Sequence, residues 1–185
     1  MELRGFAPGA GRHFHTQLIS IRSLESIGGH LKPMSSGATT GAYPAANLAI
    51  YVPVWFSDPF TIEEVFWENG TGASAGNVDV GLYDAAGTRL TSLGATARGA
   101  ASVTITTTTF TAYTVTQPGL YYMAFSHSAT NNIFACQPAA GLCEAMGVCE
   151  QATAHPLPAT ATMTRTARAY IPDFGFITTA TALPA

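Results

Sequence analysis

The side chains able to do chemistry are few, and their spacing forms no catalytic set. Glu63, Glu64 and Glu68 are the only close carboxylates. Adjacent strand residues point to opposite faces, so Glu63 and Glu64 cannot work as one acid–base pair. They read as solvated strand charges. Asp79 and Asp84 flank an expected hairpin. Asp84, at the start of the turn, hydrogen-bonds its own backbone in the simplest reading. A calcium site on Asp79 and loop carbonyls is the alternative, but the dense Asp/Asn loop of such sites is missing. His13-Phe14-His15 puts two imidazoles on one side of an extended chain. That spacing can hold a metal, yet no third ligand stands nearby in sequence. His13 and His15 are therefore taken as docking residues. His127 sits between Ser126 and Ser128, but a triad also needs a positioned acid and an oxyanion hole, and G-x-S-x-G is absent. The glycine-rich stretch 70–76 lacks the lysine and the following helix of a phosphate loop. Cys136, Cys143 and Cys149 are spaced C-x6-C-x5-C, which matches no zinc pattern. Small, partly buried thiols are the first reading, one local disulfide the second and a metal site the third. The expectation is a protein that is not an enzyme, with no catalytic, cofactor-binding or metal residue to assign and no cofactor.

The elements that carry these residues read as strands. Leu48, Ile50, Val52, Val54 and Phe56 recur at every second position, the period of a strand with one buried face. Pro53 donates no backbone hydrogen bond and marks an edge or a bulge. Phe60 and Ile62 share one parity, Val65 and Trp67 the other, so a β-bulge is expected at Glu63-Glu64. Asn69-Gly70 reads as a turn with positive φ. Val78, Val80 and Leu82 give the clearest strand, closed by a hairpin at Asp84-Ala85-Ala86-Gly87-Thr88. Residues 102–116 are Thr-rich and β-branched, which favours strands. A largely buried strand follows the turn Gln117-Pro118-Gly119, another includes Phe134 and Ala135, and a last one begins at Tyr170. Between them, residues 137–169 lose the alternation and read as a long excursion with one helical turn near Leu142–Met146.

Seven to nine short strands with regular turns predict an all-β, antiparallel β-sandwich, jelly-roll-like in outline. Residues 1–42 read as an irregular N-terminal arm or docking segment, with one strand-like piece, Gln17-Leu18-Ile19-Ser20-Ile21-Arg22-Ser23. Residues 43–185 form the sandwich domain. Tyr51 and Trp55 lie opposite the core stripe, and Tyr83 and Tyr121 are assigned to similar positions. All four are candidate interface or ligand aromatics. A second layer over that face makes them core instead.

Composition narrows the function classes. Charged residues make up 10% of the chain, and hydrophobic residues 47%. A disordered chain shows the reverse balance. The net charge is −3 and basic residues do not cluster, so nucleic-acid binding is rejected. No apolar run reaches ~20 residues, so no membrane helix is expected. The first residues lack the apolar core of a secretory signal, which makes folding in a cytoplasm the expectation.

Part of the chain resembles a known module. Its marks are Asn69-Gly70, Gly76-Asn77-Val78-Asp79-Val80-Gly81-Leu82-Tyr83-Asp84 and Gly87-Thr88-Arg89-Leu90. Pro118-Gly119-Leu120-Tyr121-Tyr122-Met123-Ala124 and the closing Pro172-Asp173-Phe174-Gly175-Phe176 complete it. The segment from about residue 47 to residue 125 resembles a β-sandwich module of tailed-bacteriophage virion proteins. The resemblance covers under half of the chain, and its motifs are hairpin and strand signatures. It implies a virion structural protein assembled in the host cytoplasm: a capsid decoration, minor capsid, head-fibre or tail component. Its partners would be other phage coat or tail proteins and copies of itself, with a trimer favoured. A tail-associated module binding a receptor or host glycan is the alternative.

Overall fold

A computed structural model describes residues 30–33, 38–72, 75–107, 109–139 and 141–180. Among them the chain forms β1 (His30–Leu31), β2 (Ala38–Ala42), β3 (Leu48–Phe56), β4 (Phe60–Glu68) and β5 (Asn77–Asp84). Next come β6 (Arg89–Ser92), β7 (Thr96–Ala97), β8 (Thr104–Thr107), β9 (Tyr113–Val115), β10 (Gly119–His127) and β11 (Asn132–Cys136). A single helical turn, α1 (Leu142–Met146), precedes β12 (Cys149–Gln151), β13 (Thr164–Arg165), β14 (Ile171–Pro172) and β15 (Phe174–Ala180). The strand pieces outnumber the seven to nine expected because several are two-residue pairings within loops. The protein is an all-β sandwich, as its alternation predicts.

Every pairing is antiparallel. The first sheet runs β1-β15-β4-β8, with β9 also on β4. The second runs β13-β12-β3-β10-β5-β6, with β7 also on β5. A small third sheet, β14-β11-β2, joins them. Because β1 and β2 lie in these sheets, residues 30–33 and 38–42 belong to the folded body. Residues 1–29 of the expected arm lie outside the described residues.

The apolar stripes face inward as their parity demands. Leu48, Ile50, Val52, Val54 and Phe56 of β3 are buried with Val78, Val80 and Leu82 of β5 and Val65 and Trp67 of β4. Phe56 and Phe60 meet edge-on at 4.7 Å where β3 turns into β4. Such a pair adds about 0.5–1.5 kcal/mol beyond its buried area. The bulge is where parity places it: Ile177 of β15 faces Glu64 while Thr178 faces Ile62, leaving Glu63 as the extra residue. Glu63 is exposed and Glu64 half-buried, while Ile62 and Val65 on either side of the pair stay inward. Pro53 lies beyond the reach of β12, which pairs with β3 only from Ala49 to Tyr51. Its missing N–H therefore leaves no ladder partner on that side unsatisfied.

One turn differs from its sequence reading. Asn69 is buried and bridges Ile133, and positive φ falls at Gly72 and Gly76 instead. Gly70 is glycine because of crowding. A Cβ there would collide with Thr40 Oγ1 and approach the Asn132 backbone to 3.0 Å. No helix of the described residues is long and apolar enough to cross a membrane.

Candidate interaction surface

Cross-strand partners share a face, and so do residues two apart on one strand. The outer face of the second sheet therefore carries Ala49, Tyr51, Pro53 and Trp55 from β3. It also carries Leu120, Tyr122, Ala124 and Ser126 from β10, and Asp79, Gly81 and Tyr83 from β5. The half of this face nearer His127 is roofed by residues 152–163. Ala154 and Leu157 are buried there against Ala49, Tyr51, Tyr83 and Ala124. Gly81 makes room for the roof: a Cβ would come within 2.9 Å of the Leu157 side chain.

The roof is held by hydrogen bonds from β-sheet side chains to its backbone. Leu157 N–H donates to Asp79 Oδ2 at 3.0 Å, and Gly94 N–H donates to Asp79 Oδ1 at 2.8 Å. Burial pushes the Asp79 carboxyl up, and these backbone N–H groups pull it partly back. Both Asp79 oxygens are thus engaged with backbone N–H groups from remote segments. Tyr83 Oη donates to Pro158 O at 2.6 Å, and Ala154 N–H to Asn47 O at 2.7 Å. Ser126 Oγ and His155 Nδ1 lie 3.0 Å apart. Asp79 is the register partner of Ser126, so a serine, a histidine and an aspartate do meet here. They are not arranged for nucleophilic attack. Ser126 is fully buried, Asp79 serves backbone amides, and His155 turns Nδ1 toward the serine. A working triad instead orients Nδ1 on the acid and Nε2 on the hydroxyl. Sequence reasoning did not single out His155. Its partner is 29 residues away, and no local spacing signals the meeting.

The four candidate aromatics separate. Tyr51 and Tyr83 lie under the roof, wholly buried, with their rings edge-on at 5.2 Å. Burial pushes the Tyr51 hydroxyl up to about 12 and the Tyr83 hydroxyl higher still. Neither offers a face to a ligand. Tyr121 has the opposite parity. It tilts against Phe56 at 5.2 Å and donates its hydroxyl proton to Gln117 O. Only Trp55 is open, at 43% exposure. It lies beyond the roof, directly opposite Leu120, and Pro53 lies opposite Tyr122. These four residues form a platform at the less covered end of the sheet face, on which Trp55 is exposed and Pro53, Leu120 and Tyr122 are half-buried, Tyr122 packing against the roofed cluster. Burial raises the Tyr122 hydroxyl, and the Arg165 charge at the edge of this face draws it back.

The other groups serve the fold. Asp84 Oδ1 accepts from Ala86 N–H and Thr88 N–H, 2.9 and 2.8 Å, within the hairpin. Glu68 does find a carboxylate neighbour, but it is Asp173, 105 positions along the chain. Burial raises the Glu68 carboxyl first, the hydrogen bond and charge of Asp173 add to this, and Lys32 opposes it. Lys32 Nζ lies 2.8 Å from Asp173 Oδ1 and sits 5.4 Å over the Phe66 ring. This cluster ties β1 to the sheets. His127 is buried, and its Nδ1 accepts from Ala129 N–H at 2.9 Å. Arg98, also buried, donates to the carbonyls of Gly70 and Asn132, while its own carbonyl accepts from Trp67 Nε1 and Asn69 Nδ2. The three cysteines are free thiols, each pushed up by burial. Among the described residues, no three His, Cys, Asp or Glu side chains gather as a metal site. His13 and His15 lie outside the described residues. A scan against protein-family models finds no match, and neither the curated proteins nor the solved structures yield one.

Proposed function

We propose that this chain is a non-enzymatic structural component of a tailed-phage particle, a capsid decoration or minor capsid protein that binds other coat subunits. The observation that carries the reading is the platform of Pro53, Trp55, Leu120 and Tyr122 on an otherwise roofed sheet face. An open tryptophan among apolar neighbours, with a tyrosine beside it, has the composition of a protein-contact hot spot. The low charge of the chain and the resemblance of residues 47–125 to phage sandwich modules support the same reading. Purified particles analysed by mass spectrometry should contain the chain at a fixed stoichiometry, and Trp55→Ala should reduce its incorporation several-fold. A chain absent from particles sinks the proposal.

The exposed indole also favours a second reading, a tail-associated module that stacks a sugar or receptor group. Leu120 and Pro53 offer such a ligand no side-chain hydrogen-bonding group, which makes a polypeptide the better occupant. Glycan-array binding that disappears in Trp55→Ala would reverse that order.

A further inference from the structure

We propose that residues 152–163 are a pH-released flap: proton uptake by His155 lifts the roof off the second sheet while the two sheets stay folded. The roof is attached like a hinged lid. It leaves β12 at Gln151 and returns at Thr164, and its two flanks pair with each other, Cys149 with Arg165 and Glu150 with Thr164. A surface loop of this length whose ends meet is a self-contained unit, and it can move without displacing a core strand. Its entry is strained. Thr153 has φ 53, in the left-handed region that a β-branched residue rarely adopts. Such a conformation persists only while the contacts around it hold.

Those contacts are mostly hydrogen bonds. Ala154 and Leu157 are the fully buried side chains of the roof. Beyond them, the tip is held by Asp79 and Tyr83 as described, by Arg89 donating to Leu157 O, and by Ala161 N–H donating to Gly87 O at 2.8 Å. His155 sits in the middle. Its Nδ1 meets Ser126 Oγ, while its Nε2 is buried with no hydrogen-bond partner among the described residues. A neutral imidazole can leave Nε2 as a bare lone pair and donate Nδ1–H to the serine. An imidazolium carries a proton on both nitrogens. Nε2–H would then be a charged, buried donor with no acceptor, which the closed roof disfavours.

The elements beneath the roof do little to offset that charge. β3 contributes Tyr51, β5 Tyr83 and Asp79, β6 Arg89, β10 Tyr122 and His127, and β12 the Cys149 thiol. Arg89 is a cation, and a charge on His155 would oppose one on His127. Burial keeps the tyrosines and the thiol protonated. Glu150 of β12 pairs with Ile50, on the opposite face, and is bound to Arg168. Asp79 is the one carboxylate, and both of its oxygens accept N–H groups. Burial accordingly holds His155 below 6.5. The open roof therefore binds this proton more tightly than the closed one, and acid favours opening. Asp79, pushed up by burial, acts in the opposite direction.

The test is amide hydrogen exchange by NMR on the full chain, corrected for the intrinsic rate at each pH. The Leu157 and Ala161 amides should exchange at least about tenfold faster than the slowest amides of β3 and β10, which marks an opening short of unfolding. From pH 7.5 to 5.5 the opening constant of the roof should rise several-fold, up to the limit of about a hundredfold that one proton allows over two units. His155→Asn keeps a side chain able to bond Ser126 and cannot titrate, so the rise should vanish. Three results overturn the inference. They are roof amides that exchange only at the rate of the core, an opening constant flat with pH, and a rise that survives in His155→Asn. Should that variant fail to fold, direct titration of the His155 ring decides instead: an imidazole that titrates at or above 6.5 in the folded chain sinks the proposal, and one that titrates below it supports it.

Discussion

Asp79 illustrates how a residue with the look of a ligand can be structural. Its side chain is buried, and both oxygens accept backbone N–H groups from segments remote in sequence. Asp79→Ala leaves two donors without their acceptor, at about 1–3 kcal/mol for each one left buried. Urea unfolding should show a loss of at least ~2 kcal/mol on that scale, with Asp79→Asn milder. The buried His127 and the half-buried His155 give a pH dependence of definite sign. Burial holds His127 and His155 below the ordinary value of 6.5. The unfolded chain therefore takes up protons first, and stability present above pH 6.5 is lost as pH falls below it. Asp79 and Glu68, both raised, act oppositely, because the folded state binds their protons more tightly as pH falls. Melting temperature should thus drop between pH 7.5 and 5.5, and His155→Asn should flatten the drop. A wild-type curve flat over this range contradicts the assignment.

At the scale of elements, the roof and the bulge decide which side chains are seen. Without residues 152–163, Tyr51 and Tyr83 would be exposed on the same face as Trp55. The extra residue Glu63 lets β4 present Phe60 and Ile62, then Val65 and Trp67, to one core. Tight approaches between elements fall on glycine. Gly70→Ala forces a Cβ against Thr40 and the Asn132 backbone, and should cost about 1–3 kcal/mol, as overpacking does. Denaturant melts of that variant check it. A neutral outcome would mean that the loop can move aside.

Across the whole molecule, the two tryptophans separate fold from function. Trp67 is buried in the core and hydrogen-bonded to Arg98 O at 2.9 Å. Trp67→Ala should cost about 3–5 kcal/mol, as large core truncations do. Trp55→Ala, at the open platform, should change the stability of the isolated chain by less than about 0.5 kcal/mol. Its effect should appear in association instead. Equal losses in the two variants would show that Trp55 packs as core.

The sequence alone determined the all-β class, the inward stripes of β3 and β5, the bulge at Glu63, the hairpin at Asp84 and the helical turn at Leu142–Met146. Each is a local matter of parity, turn chemistry or a few adjacent residues. The tertiary structure decided which outward aromatics stay open, because the roof over Tyr51 and Tyr83 arrives from about 70 to 100 residues further along the chain. It also decided the pairings Glu68–Asp173 and Ser126–His155, and the placement of Arg98 beneath the loops. Alternation shows that a strand has two faces. It carries no information about what covers the second one, because the covering segment is irregular and has no period of its own.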